Sequence, residues 1–150
     1  MIQIFIDADG CPVKNEVYRV AKRYGVAVKV VANAHMHVPD DAGVEFVKVN
    51  DDFDAADDWI AGECGVDDIV ITTDIPLASR CLANGARVIG PKGRVFTEEG
   101  IGDALASREI ASHLREHGVM SGGPAPFGKQ DRSRFLQALD TAVVAAMRGR

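Results

Sequence analysis

The sequence predicts a three-layer α/β/α protein built on a mostly parallel five-stranded sheet of order 3-2-1-4-5, followed by C-terminal helices. Three features of the chain lead there. Short apolar runs rich in Ile and Val alternate with stretches of helical periodicity, the pattern of strands buried on both faces and joined by crossover helices. The turn cluster from Pro39 to Gly43 and the helix-ending glycines Gly25 and Gly85 mark joints between them. The first and fourth apolar runs also end abruptly at acids, Asp7 and Asp74.

Ile4-Phe5-Ile6 is the first strand, stopped by Asp7 and Asp9, with Gly10 and Pro12 leading into a helix. Proline suits the first turn of a helix because no amide hydrogen is needed there. Val13, Val17, Val20, Ala21 and Tyr24 recur at helical spacing, and Gly25 ends them as a C-cap. Ala27 to Ala32 is the second strand, Pro39 to Gly43 a turn cluster, and Val44 to Val49 the third strand. Residues 51–65 form a helix with acids crowded into its first turns, where they favour the dipole. Ile69 to Thr73 is the fourth strand, residues 75–84 a short helix closed by Gly85, and Arg87 to Ile89 the fifth strand. Beyond residue 90 come the basic turn Pro91-Lys92-Gly93-Arg94, a helix from about Ile101 to His117 and a Gly/Pro-rich segment from Ser121 to Gly128. A last helix follows, N-capped by Asp131 and striped by Phe135, Leu139, Val143 and Met147. The chain thus reads as one domain, residues 1–90 forming the α/β core and residues 91–150 the basic turn and C-terminal helical segment.

Composition narrows the class. At 47% hydrophobic and 26% charged, the 150 residues are ordinary for a globular domain. No apolar run reaches the roughly 20 residues of a membrane span, and the N-terminus lacks the pattern of a signal peptide, so a cytoplasmic protein without a membrane partner is expected. Three widely spaced cysteines, Cys11, Cys64 and Cys81, form neither a disulfide framework nor a zinc ribbon. The net charge of −5 is uneven along the chain: residues 1–79 carry −9 and residues 80–150 carry +4. An acidic metal-binding pole beside a phosphate-binding surface fits that split, as does a surface on which the two halves interleave.

In such a sheet every strand's carboxyl end and the following helix's N-terminus share one edge, where ligands bind. Asp7, Asp9 and Asp74 lie there, as do Asp54, Asp57 and Asp58 on the helix after strand three. At about 100° per residue, Asp57 falls on the margin of the buried stripe of Phe53, Ala56, Ile60 and Cys64, with Asp54 farther round and Asp58 toward solvent. Carboxylates brought together either protonate or bind a cation, and Mg²⁺ or Mn²⁺ suits an all-oxygen site. The plain alternative is helix caps and solvated turns, which suits Asp51, Asp52 and Asp58 best.

The block from Asp54 to Ala78 is similar to the C-terminal signature of PIN-domain nucleases, an Asp-x-x-Ile helix followed by an apolar strand ending Thr-x-Asp. Asp57-Asp58-Trp59-Ile60 and Thr72-Thr73-Asp74 match it, and Asp7 matches the acid after the first strand. Nearly end to end, the chain resembles the YaiI/YqxD family, a PIN-like bacterial group. The matching pieces are residues 7–13, Asn33, the 54–78 block, Pro91-Lys92-Gly93 and the tail Gly123-Pro124, Phe127, Asp131-Arg132 and Phe135. The resemblance implies a PIN-like fold and a Mg²⁺- or Mn²⁺-dependent phosphodiesterase acting on RNA. Asp7, Asp57 and Asp74 would ligate metal, and Asp9 would be a further ligand or a base. Asn33, Thr72 and Thr73, with Lys14, Arg80, Lys92, Arg108 and Arg132, are the candidate substrate or phosphate contacts, and Arg94, Lys129 and Arg134 extend the basic set. The chain departs from the pattern at one position: Glu16 lies too early, and Glu45 too deep in a strand, to match the additional acid of many PIN nucleases.

Two other functions fit some of the same residues. Asp7-Ala8-Asp9-Gly10 also resembles the first motif of haloacid-dehalogenase phosphatases, with Asp7 as nucleophile and Asp9 as acid/base, although Cys11 stands where Thr is usual. A non-catalytic PIN-like RNA-binding module is the third reading, and a homo-oligomer is compatible with any of them. Cys11 at a helix N-terminus suggests a reactive thiol, but no Cys-x5-Arg loop follows it, so a small packed side chain is expected. His35 and His37 would share a face of a strand and could hold a metal, or lie in a surface loop. Arg108 falls on the apolar stripe of Ile101, Ala104 and Leu105, so it points inward toward an acid or a substrate phosphate. Few aromatics remain outside the expected core, leaving no evident platform for base stacking.

Overall fold

A computed structural model of the chain describes residues 2–9, 11–41, 43–52, 54–102 and 127–149. The strands are β1 (Gln3–Asp7), β2 (Ala27–Ala32), β3 (Val44–Lys48), β4 (Ile69–Ile71), β5 (Arg87–Ile89) and β6 (Val95–Phe96). The helices are α1 (Lys14–Tyr24), α2 (Ala55–Glu63), α3 (Ile75–Ala83) and α4 (Lys129–Met147). One sheet runs in the order β3-β2-β1-β4-β5-β6. Its first five strands are parallel, as expected.

The sixth strand is the difference. Val95 and Phe96 fold back antiparallel on β5, with Val88 opposite Phe96 and Ile89 opposite Val95. The basic turn at residues 91–94 is therefore a hairpin turn, closed by Gly90 N–H donating to the Arg94 carbonyl at 2.8 Å and Gly93 N–H to the Gly90 carbonyl at 2.9 Å. Two residues are too few to show an alternating pattern, so this strand is visible only once its partner is in place.

Alternate β1 residues face opposite layers, because strand side chains alternate. Ile4 and Ile6 pack with Val17, Val20, Phe135 and Leu139, the layer of α1 and α4. Phe5 packs with Ile60, Leu77 and Cys81, the layer of α2 and α3. All three β1 residues are buried, and each face of the sheet has its own apolar cluster. That is the three-layer α/β/α arrangement.

Local signals set the helix ends. Gly25, at φ +67°, ends α1 in the left-handed region, its amide donating to the Ala21 carbonyl. Asp74 is the N-cap of α3, its Oδ1 accepting from Leu77 N–H at 3.0 Å. The last helix departs from expectation at both ends. Its N-cap is Gly128, and Asp131 lies inside the first turn, where its Oδ2 accepts the Gly128 amide at 2.9 Å. Its buried stripe is Phe135, Leu139, Val143 and Ala146, with Met147 55% exposed. At about 100° per residue, Ala146 returns to about 20° from Phe135 whereas Met147 drifts to about 120°. Residues 98–102 are helical, so this helix begins earlier than Ile101. Phe53, Arg108, the rest of the expected 101–117 helix and most of the Gly/Pro-rich segment lie outside the described residues.

Gly93 is where the hairpin meets α4. Its φ is +91°, and a Cβ built there would stand 2.7 Å from the Arg134 carbonyl carbon. Gly93→Ala imposes both a left-handed backbone on a substituted residue and a clash with helix backbone that cannot swing aside. It is expected to lower stability by about 2–4 kcal/mol, measured by urea unfolding, whereas Gly62→Ala, in α2 with open space around its Cβ position, leaves stability unchanged or slightly raised.

Candidate active site

The centre of the sheet builds the site. β1 pairs with β2 on one side and β4 on the other, with Asp7 opposite Val31 and Ile6 opposite Ile71. The residue after Ile71 is therefore brought beside Asp7. It is Thr72, 2% exposed, whose hydroxyl donates to Asp7 Oδ2 at 2.8 Å and accepts Asp74 N–H at 3.0 Å. A single buried hydroxyl thus joins the acid ending β1 to the acid opening α3.

Asp57 joins them from α2. It is half-buried, while Asp54 and Asp58 are exposed, the order expected from their angles around the helix. Burial pushes the Asp57 carboxyl up to about 6, helped by the charges of Asp74, Asp7 and Asp54 and by a hydrogen bond shared with Asp74. Burial also raises Asp7, against the Thr72 hydrogen bond, which favours its charged form, and the charges of Asp74 and Asp9 push the same way as burial. Carboxylates from three distant parts of the sequence therefore feel one another's charge at the carboxyl edge of the sheet. Asp9 is exposed beside them.

The basic candidates are distributed differently. Arg80 Nη1 pairs with Asp58 Oδ1 at 2.8 Å on the rim, both side chains largely exposed. Lys14 Nζ donates to the Cys11 carbonyl at 2.8 Å, across the turn that leads into α1. Arg132 Nη1 donates to the Pro12 carbonyl and to Glu16 Oε1, both at 2.9 Å, and its guanidinium lies 4.8 Å from the Phe127 ring centroid. It ties α4 to the start of α1. Asn33 follows the last residue of β2, Thr73 is exposed between Thr72 and Asp74, and Lys92 is exposed in the hairpin turn. Arg108 lies outside the described residues. His35 and His37 are exposed, His35 packing edge-on to Phe46 at 5.5 Å. Cys11 is 8% exposed and its thiol is pushed up by burial, which suits a packed side chain rather than a nucleophile.

Two features escape a reading of the chain alone. Glu16 is buried, at 8% exposure, with one oxygen held by Arg132 and the other, Oε2, without a hydrogen-bond partner. Its position in the first helical turn gave no hint of that, because the partner arrives from α4. Trp59 lines a groove of about 550 Å³ with Lys48, Asn50, Asp52, Asp54 and Asp58, an aromatic wall one residue along from Ile60 of the core.

Among the described residues, no three His, Cys, Asp or Glu side chains already stand as a metal-holding set. The donor chemistry at the pole is nonetheless all carboxylate. Asp7 Oδ2 and Asp74 Oδ1 take the hydrogen bonds described. Oxygen donors suit a hard cation, and the raised proton affinity of Asp57 and Asp7 comes first from burial and then from the neighbouring carboxylates.

Two consequences are measurable. Asp57 binds its proton more tightly in the folded state, at about 6 against an ordinary 3.8, so the folded state holds more protons than the unfolded state between those values. Stability then falls as pH rises through that window. With a chelator present, Asp57→Asn is expected to flatten that fall and to melt higher than the parent at pH 8, by thermal unfolding across pH 4–8. Thr72→Val removes the donor to Asp7 and the acceptor of Asp74 N–H, and is expected to cost about 1–3 kcal/mol in urea unfolding.

Comparison with known proteins gives a consistent result. No solved structure matches the chain. A UPF0178 protein of Rhodospirillum centenum is 56% identical over the whole of both chains. A UPF0178 protein of Rhodospirillum rubrum is 54% identical over 99% of this chain and all of its own. Another, from a Caulobacter species, is 54% identical over 99% of this chain and 98% of its own. The sequence pattern described as "Uncharacterized BCR, YaiI/YqxD family" matches residues 5–145, and the chain belongs to that family.

Proposed function

We propose that the acidic pole is the active centre of a Mg²⁺- or Mn²⁺-dependent phosphodiesterase acting on RNA. One observation carries this reading: Asp7, Asp57 and Asp74 come together at the carboxyl edge of a parallel sheet, where burial and the charge of Asp74 both raise the proton affinity of Asp7 and Asp57. Among the described residues, the ion pairs of the molecule engage other acids, not these three. Like charges ~4 Å apart repel by about 4 kcal/mol at an effective dielectric of 20, so a pole of this kind is better explained by a cation it is built to receive than by packing.

In this reading Asp7, Asp57 and Asp74 hold the cation, which when bound supplies a more acidic water and neutralises charge on the phosphoryl oxygens. Thr72 orients Asp7 by donating to it, and Leu77 N–H at the start of α3 orients Asp74 in the same way. Exposed Asp9 stands next to the site to accept a proton from the attacking water. Thr73, Asn33 and the rim cations Lys14, Arg80 and Lys92 are the groups of this chain that would meet substrate phosphates. A backbone-directed grip of this kind selects nucleic acid without selecting sequence.

The test uses the purified protein with single-stranded and structured RNA, in Mn²⁺ or in chelator. Cleavage is expected with Mn²⁺ only, and is expected to fall by about 100-fold or more in Asp74→Asn and Asp7→Asn. Asn at position 74 still caps α3, since its side-chain oxygen accepts as the carboxylate does, so a loss there reports on charge rather than on folding. RNA retained without cleavage would replace the enzyme with a binding module. Turnover of a phosphomonoester through a phosphorylated Asp7 would replace it with a phosphatase.

A further inference from the structure

The acids of the pole and two of the thiols share their helices in a regular way. Cys64 closes α2 seven residues after Asp57, and Cys81 lies in α3 seven residues after Asp74. Seven residues of helix advance about 10 Å and return to within about 20° of the starting direction. Each thiol therefore lies two turns below an acid, on the same side of its helix. Both are buried in the layer between the sheet and the two helices, Cys64 at 6% exposure and Cys81 at 0%.

Asn84 shows how the sulfurs are seated. It stands three residues after Cys81, on the same face of α3, and its side-chain amide donates to the Ala61 carbonyl at 2.7 Å and reaches Cys64 Sγ at 3.8 Å. The end of α2 is thus pinned to the face of α3 that carries Cys81, and the two thiols, buried in one cluster, lie close enough to shift each other's proton affinity. With Cys81 and the Asn84 amide beside its sulfur, Cys64 is the more acidic of the pair, while the neighbouring Cys64 and burial hold the proton on Cys81. The member nearer solvent is therefore also the better nucleophile.

We propose that Cys64 and Cys81 are a redox-modification site: a hydroperoxide converts them to a disulfide that bolts α2 to α3 and so fixes the spacing of Asp57 and Asp74. The Cys64 thiolate attacks a peroxide oxygen, the O–O bond breaks, and the departing oxygen takes up a proton, leaving Cys64 as its sulfenic acid. Cys81 sulfur then attacks Cys64 sulfur. Its proton leaves with the sulfenic hydroxyl as water. Two thiols have lost two electrons and two protons, and the peroxide has been reduced to an alcohol, or to water from hydrogen peroxide. A small dithiol reverses the change. Formation of the bond does not depend on what the acids do, whereas its consequence for them rests on the reading of the pole as a metal site.

The experiment exposes the full-length protein to equimolar hydrogen peroxide, alkylates it after denaturation, and maps the peptides by mass. Two of the three thiols are expected to be lost, with the mass lowered by two hydrogens, a single cross-linked species joining residues 64 and 81, Cys11 alkylated, and full recovery in dithiothreitol. In Cys81→Ala the product is expected to stop at a sulfenic acid on Cys64, trapped by dimedone. A bridge containing Cys11, dimers between chains, Cys64 passing to the sulfinic acid in the parent, or three intact thiols would each overturn the proposal. Mapping of the parent decides even where a variant folds poorly. Amide hydrogen exchange reads the mechanical consequence without any assay of activity. Oxidation is expected to slow exchange along α2 and α3 up to residues 57 and 74, and slowing confined to the neighbourhood of the bond would overturn the link to the acids. Absence of RNA cleavage in both redox states, with the disulfide mapped as expected, would count against the nuclease alone.

Discussion

The central position of β1, hydrogen-bonded to β2 on one side and β4 on the other, is the constraint on which the acidic pole depends. A strand in that position is covered on both faces and can carry polar groups only where it ends. Asp7 stands at that end, and the parallel register sets Thr72 beside it. The hydroxyl between Asp7 and the Asp74 amide turns a topological neighbourhood into a fixed geometry, because a buried hydroxyl that both donates and accepts leaves its neighbours little freedom. β1 slipped by one residue would exchange the Ile4/Ile6 and Phe5 faces and misplace the acid as well.

Around that centre the layers have separate tasks. α2 and α3 bring acids to the pole and bury their apolar sides against Phe5, Val70 and Val88. α4 adds no acid to the pole. It fills the opposite face with Phe135, Leu139 and Val143, and Arg132 reaches from it to the carbonyl of Pro12 and to Glu16. A buried carboxylate such as Glu16 is costly without a partner, so Arg132 couples α4 to the start of α1. The tight meeting of Gly93 with the backbone of Arg134 joins the same helix to the hairpin, at the far side of the sheet from β3.

At the pole, charge accumulates on groups that burial has partly removed from water. Desolvation is the largest influence on both Asp7 and Asp57, ahead of the charges around them. The difference between those two acids is instructive. Asp7 has a hydrogen-bond donor favouring its charged form, whereas nothing comparable opposes burial and the surrounding charges at Asp57.

By itself the amino-acid sequence determined the strand-helix alternation, the five parallel strands in their order, the burial of Ile4, Phe5 and Ile6, and the ranking of Asp57 over Asp54 and Asp58. Those follow from periodicity and from where apolar runs stop, both local properties. Tertiary structure alone decided the antiparallel β6, whose two residues acquire meaning only against β5, and the engagement of Arg132 with Glu16, which lie 116 positions apart. It also decided the placement of Cys64 and Cys81 in one buried layer and the bridging role of Thr72. Each of these depends on which face of one element meets another, and that is set by packing across the whole sheet rather than by any stretch of the chain.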